Sequence, residues 1–269
     1  MTLKKLSPLF GVLLLAIVSF GCNKLKARDQ LKKGVDAYRA AQFQAAIEHF
    51  RQAASLDPGL LNARVFLATA KRQLYVPGGD SPENVKAGQD AINAFEDVLK
   101  IDPNNTTALA TIGETYYEMK QFDKAKGYQR RLQQLDPNDP GPYYWIGVID
   151  WAICWPRRMG VRNDLKLTIP KDPAKPNDLP PLPAKAREDL AAKNGPLIQE
   201  GIQALEKDIE LKPNDAGAFA YLNLMYREKA DLEADNSVRQ ADIQKAEGFI
   251  EKSLQLRKQE TTKASSTGS

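Results

Sequence analysis

The residue types that most often do chemistry are scarce in this chain. Its 269 residues include two cysteines, Cys22 and Cys154, and a single histidine, His49. A base-activated nucleophile needs a second group within hydrogen-bonding reach, and a zinc site needs three or four protein ligands. Cys154 lies in the apolar run Trp151-Ala152-Ile153-Cys154-Trp155, far from His49. We therefore expect a surface histidine, a buried and inert Cys154, no metal and no enzymatic site.

Motifs for cofactors and nucleic acids are also absent from the sequence. There is no Gly-rich phosphate-binding loop of the Lys-Ser/Thr type and no dinucleotide fingerprint, so no cofactor is expected. The formal net charge is +4, and it falls to +2 if residues 1–21 are removed. A charge that small, without a clustered basic face, gives no reason to expect a nucleic-acid partner.

Cys22 stands at the end of an apolar N-terminal segment. Two lysines precede an apolar stretch over 9–20, which ends in small residues before the cysteine. This order is the plan of a secretory signal peptide, and the apolar core is shorter than the ~20 residues of a membrane-spanning helix. We predict a signal peptide at 1–21 and export of the remaining chain.

The end of this segment resembles a bacterial lipobox, at which a lipoprotein is cleaved and then lipidated on cysteine. Gly21 and Cys22 fit its last two positions, whereas Ser19 and Phe20 depart from the residues usual before them. The resemblance implies a lipid on Cys22, a tether over 22–28 and a location at the periplasmic face of the outer membrane. An ordinary signal peptidase could cut the same bond, which would leave a soluble periplasmic protein.

Short strings that end in proline recur along the chain and indicate internal repeats. They are Leu56-Asp57-Pro58, Ile101-Asp102-Pro103, Leu135-Asp136-Pro137 and Leu211-Lys212-Pro213. Pro103 and Pro137 are 34 residues apart, and proline ends a helix because it cannot continue the backbone hydrogen-bond ladder. The most regular repeat, 106–139, resembles a tetratricopeptide repeat, whose pattern is matched by Gly113 and Tyr116 in a first helix and by Ala125 in a second.

The resemblance covers about residues 29–257 and implies an all-α fold. It implies a right-handed solenoid of about five helix-turn-helix repeats, which must stack because one helix pair cannot bury its apolar face alone. Long insertions interrupt the second, fourth and fifth repeats at about 75–90, 154–196 and 232–242. The prolines between 170 and 183 argue against regular structure there, and the polar end, 258–269, is predicted to be a disordered tail.

In this family the first helices of the repeats line a concave groove, and the resemblance places a partner-binding site there. The residues expected to face the groove include Tyr38, Arg39, Val65, Arg72, Glu114, Tyr117, Tyr144, Val148, Trp151 and Arg227. Tyr144, Val148 and Trp151 are spaced four and three residues apart and therefore form one stripe on a helix. Tyr and Trp are favoured as interface anchors, and a mixed apolar and charged groove suits a peptide.

We therefore expect a scaffold that binds a peptide or protein partner in the bacterial cell envelope, and not an enzyme. One alternative is a small-molecule or glycan-binding protein, or an enzyme, with a site formed by the 154–196 insertion and the Tyr144/Trp151 stripe. A second alternative is that the insertion covers the stripe, which would make the stripe structural.

Overall fold

The computed structural model describes residues 8–170 and 179–267, with side chains described over 22–170 and 179–263. These residues form ten α-helices and no β-strand, which confirms the all-α class. In chain order the helices are α1 (Pro8–Arg39), α2 (Phe43–Leu56), α3 (Leu61–Arg72), α4 (Pro82–Leu99), α5 (Thr106–Glu118), α6 (Phe122–Leu135), α7 (Pro140–Asp164), α8 (Ala184–Leu211), α9 (Ala216–Ala230) and α10 (Asn236–Thr267).

The chain divides into two compact halves after Gln121. The N-terminal half contains α1 to α5, and the C-terminal half contains α6 to α10. In the N-terminal half, Ile47 and Phe50 of α2 form a buried core with Ala70 of α3. In the C-terminal half, a larger core gathers residues of α7, α8 and α9, including Leu205 and Met225. Fully burying each large apolar side chain contributes roughly 1.5–3 kcal/mol.

Close helix crossings occur where the repeat pattern places glycine. In the N-terminal half, a Cβ atom on Gly34 would lie 2.5 Å from the ring of Phe50. In the C-terminal half, a Cβ atom on Gly147 would lie 2.4 Å from the side chain of Leu205. Phe50 and Leu205 are both buried, so a side chain at either glycine would displace core atoms. The glycines therefore permit α1 to pack on α2 and α7 to pack on α8.

The predicted signal peptide lies largely outside the described side chains. Residues 1–7 are not described, and α1 begins at Pro8. The helix continues without a break through 22–28, the stretch predicted to be a tether, and Ala27 is buried. No helix in the described part of the chain is long and apolar enough to cross a membrane.

The 75–90 insertion is short and well anchored. Ser81 caps the start of α4 by accepting a hydrogen bond from the backbone N–H of Asn84, at 3.2 Å. The Asn84 side chain donates to the carbonyls of Val76 and Gly79, at 2.8 Å each. The second half of the insertion therefore belongs to α4.

The 154–196 insertion is more helical than its prolines suggested. Helix α7 continues through Pro156, and α8, which begins at Ala184, continues through Pro196. A proline inside a helix removes one N–H donor, and neighbouring groups can then satisfy the local carbonyls. Near Pro156, the side chain of Asn194 donates to the Cys154 carbonyl at 3.1 Å. Between α7 and α8, the described residues 165–170 and 179–183 form no helix, and we call them the ends of the irregular segment; residues 171–178 lie outside the described part.

The last insertion and the tail also differ from the sequence prediction. A short turn separates α9 from α10, and the carboxylate of Asp235 caps α10 by accepting from the Ser237 N–H at 2.6 Å. The segment predicted to be a disordered tail is helical as far as Thr267, and residues 268–269 lie outside the described part. Its Lys, Gln and Glu residues are good helix formers, which the sequence analysis counted only as polar.

Candidate functional site

The N-terminal half brings six of the predicted groove residues onto neighbouring first helices. We call this set the first-helix face; its members are Tyr38, Arg39, Val65, Arg72, Glu114 and Tyr117 on α1, α3 and α5. Gln73, at the end of α3, donates to the Tyr38 hydroxyl at 2.9 Å, and Arg72 forms an ion pair with Glu118 of α5. Contacts therefore run from α1 to α3 and from α3 to α5. Arg39 is exposed, and the other five side chains are half-buried.

Arg72 is held in place by two neighbours on this face. Its guanidinium pairs with the Glu118 carboxylate and lies 5.0 Å from the centre of the Tyr75 ring. The side chains of Arg72 and Glu118 are only 18% and 24% exposed. Because burial weakens solvent screening, this pair is stronger than an ordinary surface ion pair. Tyr75 was missed by the sequence analysis, which placed it at the start of an insertion.

Glu114 lies one helical turn before Glu118 on the same face. No described residue donates a hydrogen bond to its carboxylate. Burial raises the pKa of Glu114 above its ordinary value, the nearby charge of Glu118 raises it further, and Arg72 offsets part of this effect. Glu114 is therefore an acidic group whose ionised form the protein itself stabilises poorly.

The C-terminal half contains an aromatic cluster formed by Tyr144, Trp151, Trp155 and Tyr221. The ring of Tyr221 on α9 lies edge-on to both Tyr144 and Trp151 of α7, with centroid distances of 5.7 and 5.6 Å. Trp155, from the predicted insertion, lies 5.9 Å from Trp151 and is 43% exposed. Edge-to-face pairs at these distances contribute about 0.5–1.5 kcal/mol each beyond area burial.

The predicted stripe on α7 is therefore partly covered. Val148, its middle member, is buried and offers no surface to a partner. Tyr144 and Trp151 pack against the core of this half, and the covering ring is Tyr221. The insertion contributes to the cluster only through Trp155. Tyr221 was missed because the repeat pattern selected Leu224 and Arg227 on α9.

Arg227 makes a contact within its own helix. Its Nε donates to the Asn223 side chain at 3.0 Å, and the residue is half-buried. The contact links adjacent turns of α9. We therefore assign no partner-binding surface to Arg227 in the C-terminal half.

A buried charge network beside the aromatic cluster anchors the segment between α7 and α8. Arg162 is fully buried, pairs with both carboxylate oxygens of Asp231 and donates to the backbone carbonyls of Leu167 and Pro180, at 2.9 and 3.0 Å. Arg239 on α10 donates to the Leu179 carbonyl. The described ends of the irregular segment are thus fixed to the helices.

A second arginine extends this network. Arg158 lies 2.9 Å from the Glu228 carboxylate and 3.1 Å from that of Asp231. Burial raises the pKa of Glu228 to about 7, and the attraction of Arg158 limits that rise. The network belongs to the interior of the C-terminal half, and the sequence analysis did not predict it.

The residues that suggested chemistry lie in unreactive surroundings. His49 is half-buried and lies 2.7 Å from the Gln30 side chain, to which its Nδ1 donates. Burial raises the pKa of the Cys154 thiol to about 12, so it is protonated and inert at neutral pH. Among the described residues, no three His, Cys, Asp or Glu side chains are grouped so that they could hold a metal ion. Cys22 is exposed.

A family comparison agrees with the helix pairs. Residues 86–146 match the family model described as the tetratricopeptide repeat. This segment is similar to the tetratricopeptide-repeat family. The match begins within α4 and ends within α7, so it includes the regular repeat found in the sequence. The match supports the family resemblance. Because tetratricopeptide repeats are interaction modules, the match also supports a function in protein binding.

Other proteins resemble the chain over a short segment or at low identity. A 55-residue segment, 20% of this chain, is 34% identical to the Protein CTR9 homolog of Arabidopsis thaliana, of which it spans 5%. A crystal structure of MamA superposes with a TM-score of 0.56 at 14% identity, covering 88% of this chain and 94% of that one. MamA 41-end from Desulfovibrio magneticus RS-1 gives 0.55 at 18% identity, covering 87% and 96%.

A further solved structure carries a description of binding. YrrB, described as a tetratricopeptide-repeat protein with an unusual peptide-binding site, superposes with a TM-score of 0.51 at 14% identity, covering 85% of this chain and 90% of that one. At identities this low, the likeness of YrrB and MamA to the chain shows the repeat fold alone. The binding residues of this chain must be argued from its own faces.

Proposed function

We propose that the chain is a scaffold of the bacterial cell envelope that binds a peptide or protein segment on its first-helix face. The observation that carries the proposal is the series of contacts Tyr38–Gln73 and Arg72–Glu118, which joins the first helices of the N-terminal half into one continuous face. That face remains partly exposed and combines tyrosines with charged groups, which is the composition of a peptide-binding surface. The tetratricopeptide match and the peptide-binding description of YrrB agree with it.

The envelope setting rests on the N-terminal sequence. The apolar segment and the lipobox-like end support export, and the exposed thiol of Cys22 is available for lipidation. In this proposal the lipid holds the repeats at the periplasmic face of the outer membrane. A soluble periplasmic protein is the alternative if Cys22 carries no lipid.

A second candidate function is favoured by the aromatic cluster. Trp155 is substantially exposed beside Trp151. A sugar or another small molecule could stack on the exposed indole ring of Trp155. A cleft of about 470 Å³ in the same half is lined by residues of α8, of α9 and of the turn that follows α9, and neither tryptophan lines it. A glycan that raises the melting temperature of the wild type but not of Trp155→Ala would support this candidate.

The scaffold proposal is tested by a mild-detergent pull-down from native envelopes. Wild type is compared with Tyr38→Ala/Tyr117→Ala on the first-helix face and with Val85→Ala, which removes an exposed apolar side chain on α4. We expect a protein retained by the wild type and by Val85→Ala and lost from the double variant, with circular dichroism showing that all three are folded. Equal retention by all three would contradict the assignment of the face.

A further inference from the structure

Some charged groups of the first-helix face already have an ion-pair partner, and others do not. Arg72 is already paired with Glu118 and packed over Tyr75. An anionic partner would have to break this partly buried pair, which costs more than breaking a surface pair. The exposed Arg39 is the remaining basic member of the face. The structure therefore gives an acidic segment little to bind near α3 and α5.

Glu114 differs from Arg72 because it has no ion-pair partner among the described residues. Its carboxylate is half-buried and accepts no hydrogen bond from any described residue. The charged groups that act on it are Glu118 on its own helix, which repels its charge, and Arg72 on α3, whose charge is shared with Glu118. A carboxylate in this position is stabilised by a bound cation, because the attraction of the cation offsets the cost of desolvation and the repulsion from Glu118.

Other members of the first-helix face suit a long basic side chain. Tyr117 follows Glu114 by three residues on α5, so the two lie on one side of that helix. Val65 lies on α3, the helix that contributes Arg72. Lysine and arginine bury their methylene stems against apolar surface while the charged end reaches a carboxylate. Tyrosine can also attract a cation through its ring.

We propose that Glu114 selects the partner by accepting a lysine or arginine side chain from the bound peptide segment. This inference rests on the proposed function, since it names the chemistry of the segment bound on the first-helix face. The ligand is a peptide segment with at least one basic residue flanked by apolar ones.

The test uses a phage-displayed library of random dodecapeptides and the full chain in detergent. Peptides are selected on wild type, and one is synthesised for binding by fluorescence anisotropy. We expect selected peptides to be enriched in lysine or arginine, and Glu114→Gln to weaken the synthesised peptide about tenfold or more. Glu48→Gln is the control, because Glu48 lies exposed on α2 and pairs with Arg51.

A double-mutant cycle and a pH series make the test specific. Replacing the peptide's basic residue with norleucine should weaken binding to wild type and cause little further loss in Glu114→Gln. Affinity for wild type should also fall as the pH drops from 7 toward 4.5, since Glu114 takes up a proton, whereas Glu114→Gln should show a flatter profile.

The outcomes separate the two proposals. Selected peptides without basic residues, or basic peptides that bind Glu114→Gln as tightly as wild type, would overturn the role of Glu114 and leave a peptide-binding face. Failure to select any peptide on folded wild type would contradict both the peptide-binding function and the role of Glu114.

Discussion

Asp208 differs from the residues that occupy its position in the other repeats. Four prolines close repeats, and the residues five places before them are Ala53, Val98, Leu132 and Asp208. All four of these residues are buried. Neither carboxylate oxygen of Asp208 has a hydrogen-bond partner among the described residues. Burial raises the pKa of Asp208 to about 7, the carboxylate of Asp215 adds to the rise, and Lys212 opposes it. A neutral side chain would suit this position better at neutral pH.

Replacing Asp208 with asparagine should therefore stabilise the protein above neutral pH. The folded-state pKa of Asp208, about 7, lies above the ordinary value of 3.8. The wild type therefore loses stability as the pH rises from 3.8 to about 7, and the full loss of stability is present above about 7. A difference of one between the folded-state and unfolded-state pKa corresponds to about 1.4 kcal/mol of unfolding free energy. Thermal unfolding should show a higher melting temperature for Asp208→Asn at pH 8, with the gain disappearing toward pH 4.

An exposed aspartate supplies the control for this pH series. Asp97 is exposed and pairs with Lys100 at 2.7 Å, so Asp97→Asn should change stability by no more than about 0.5 kcal/mol. A gain for Asp208→Asn that is the same at pH 4 and pH 8 would show that charge burial is not its cause.

At the scale of the helices, α7 and α9 position both the aromatic cluster and the irregular segment. Arg162 of α7 holds the carbonyls of Leu167 and Pro180 on either side of that segment. The same guanidinium pairs with Asp231, the residue that follows α9. One arginine therefore fixes the described ends of the connection between α7 and α8.

Substituting Arg162 with methionine should loosen this connection. The substitution keeps a long apolar stem but removes the donors, and it leaves Asp231 buried with Arg158 as its remaining basic partner. Breaking a buried pair in this way costs about 3–5 kcal/mol. Hydrogen exchange should become faster over 165–170 and 179–183 than in the wild type.

Lys185 provides a matched control for Arg162. It is 81% exposed and pairs with Asp189 on the surface of α8, so Lys185→Met should leave exchange in the connection unchanged. Wild-type exchange rates in Arg162→Met would mean that the connection is held by other contacts.

At the scale of the whole molecule, the helices that follow the repeat period could be predicted from the sequence, and contacts between residues far apart in the sequence could not. The proline spacing and the repeat pattern over 106–139 predicted the succession of helices, because both report on neighbouring helices in one repeat. Tyr221 lies against Tyr144 and Trp151 from a different repeat, and the repeat pattern does not encode that packing. The sequence also could not show that Glu118 pairs with Arg72 and leaves Glu114 without such a partner.

The envelope proposal makes a separate prediction for the whole chain. If Cys22 carries a lipid, the wild type should require detergent for extraction, and Cys22→Ser should lose this requirement because its side chain cannot be acylated in the same way. Cys154→Ser is the control, since that thiol is buried far along the chain. Release of the wild type into the soluble fraction without detergent would contradict lipid anchoring.

Site-specific photo-crosslinking tests the central claim, that the first-helix face binds a partner, most directly. A benzophenone amino acid is placed at the exposed positions Arg39 on α1 and Asn62 on α3, and for comparison at Gln52 on α2 and Val85 on α4. We expect irradiation of native envelopes to give an adduct with the same protein from Arg39 and Asn62 and none from Gln52 or Val85. Adducts with one protein that form only from Gln52 and Val85 would contradict the account, because they would place the partner on the second helices.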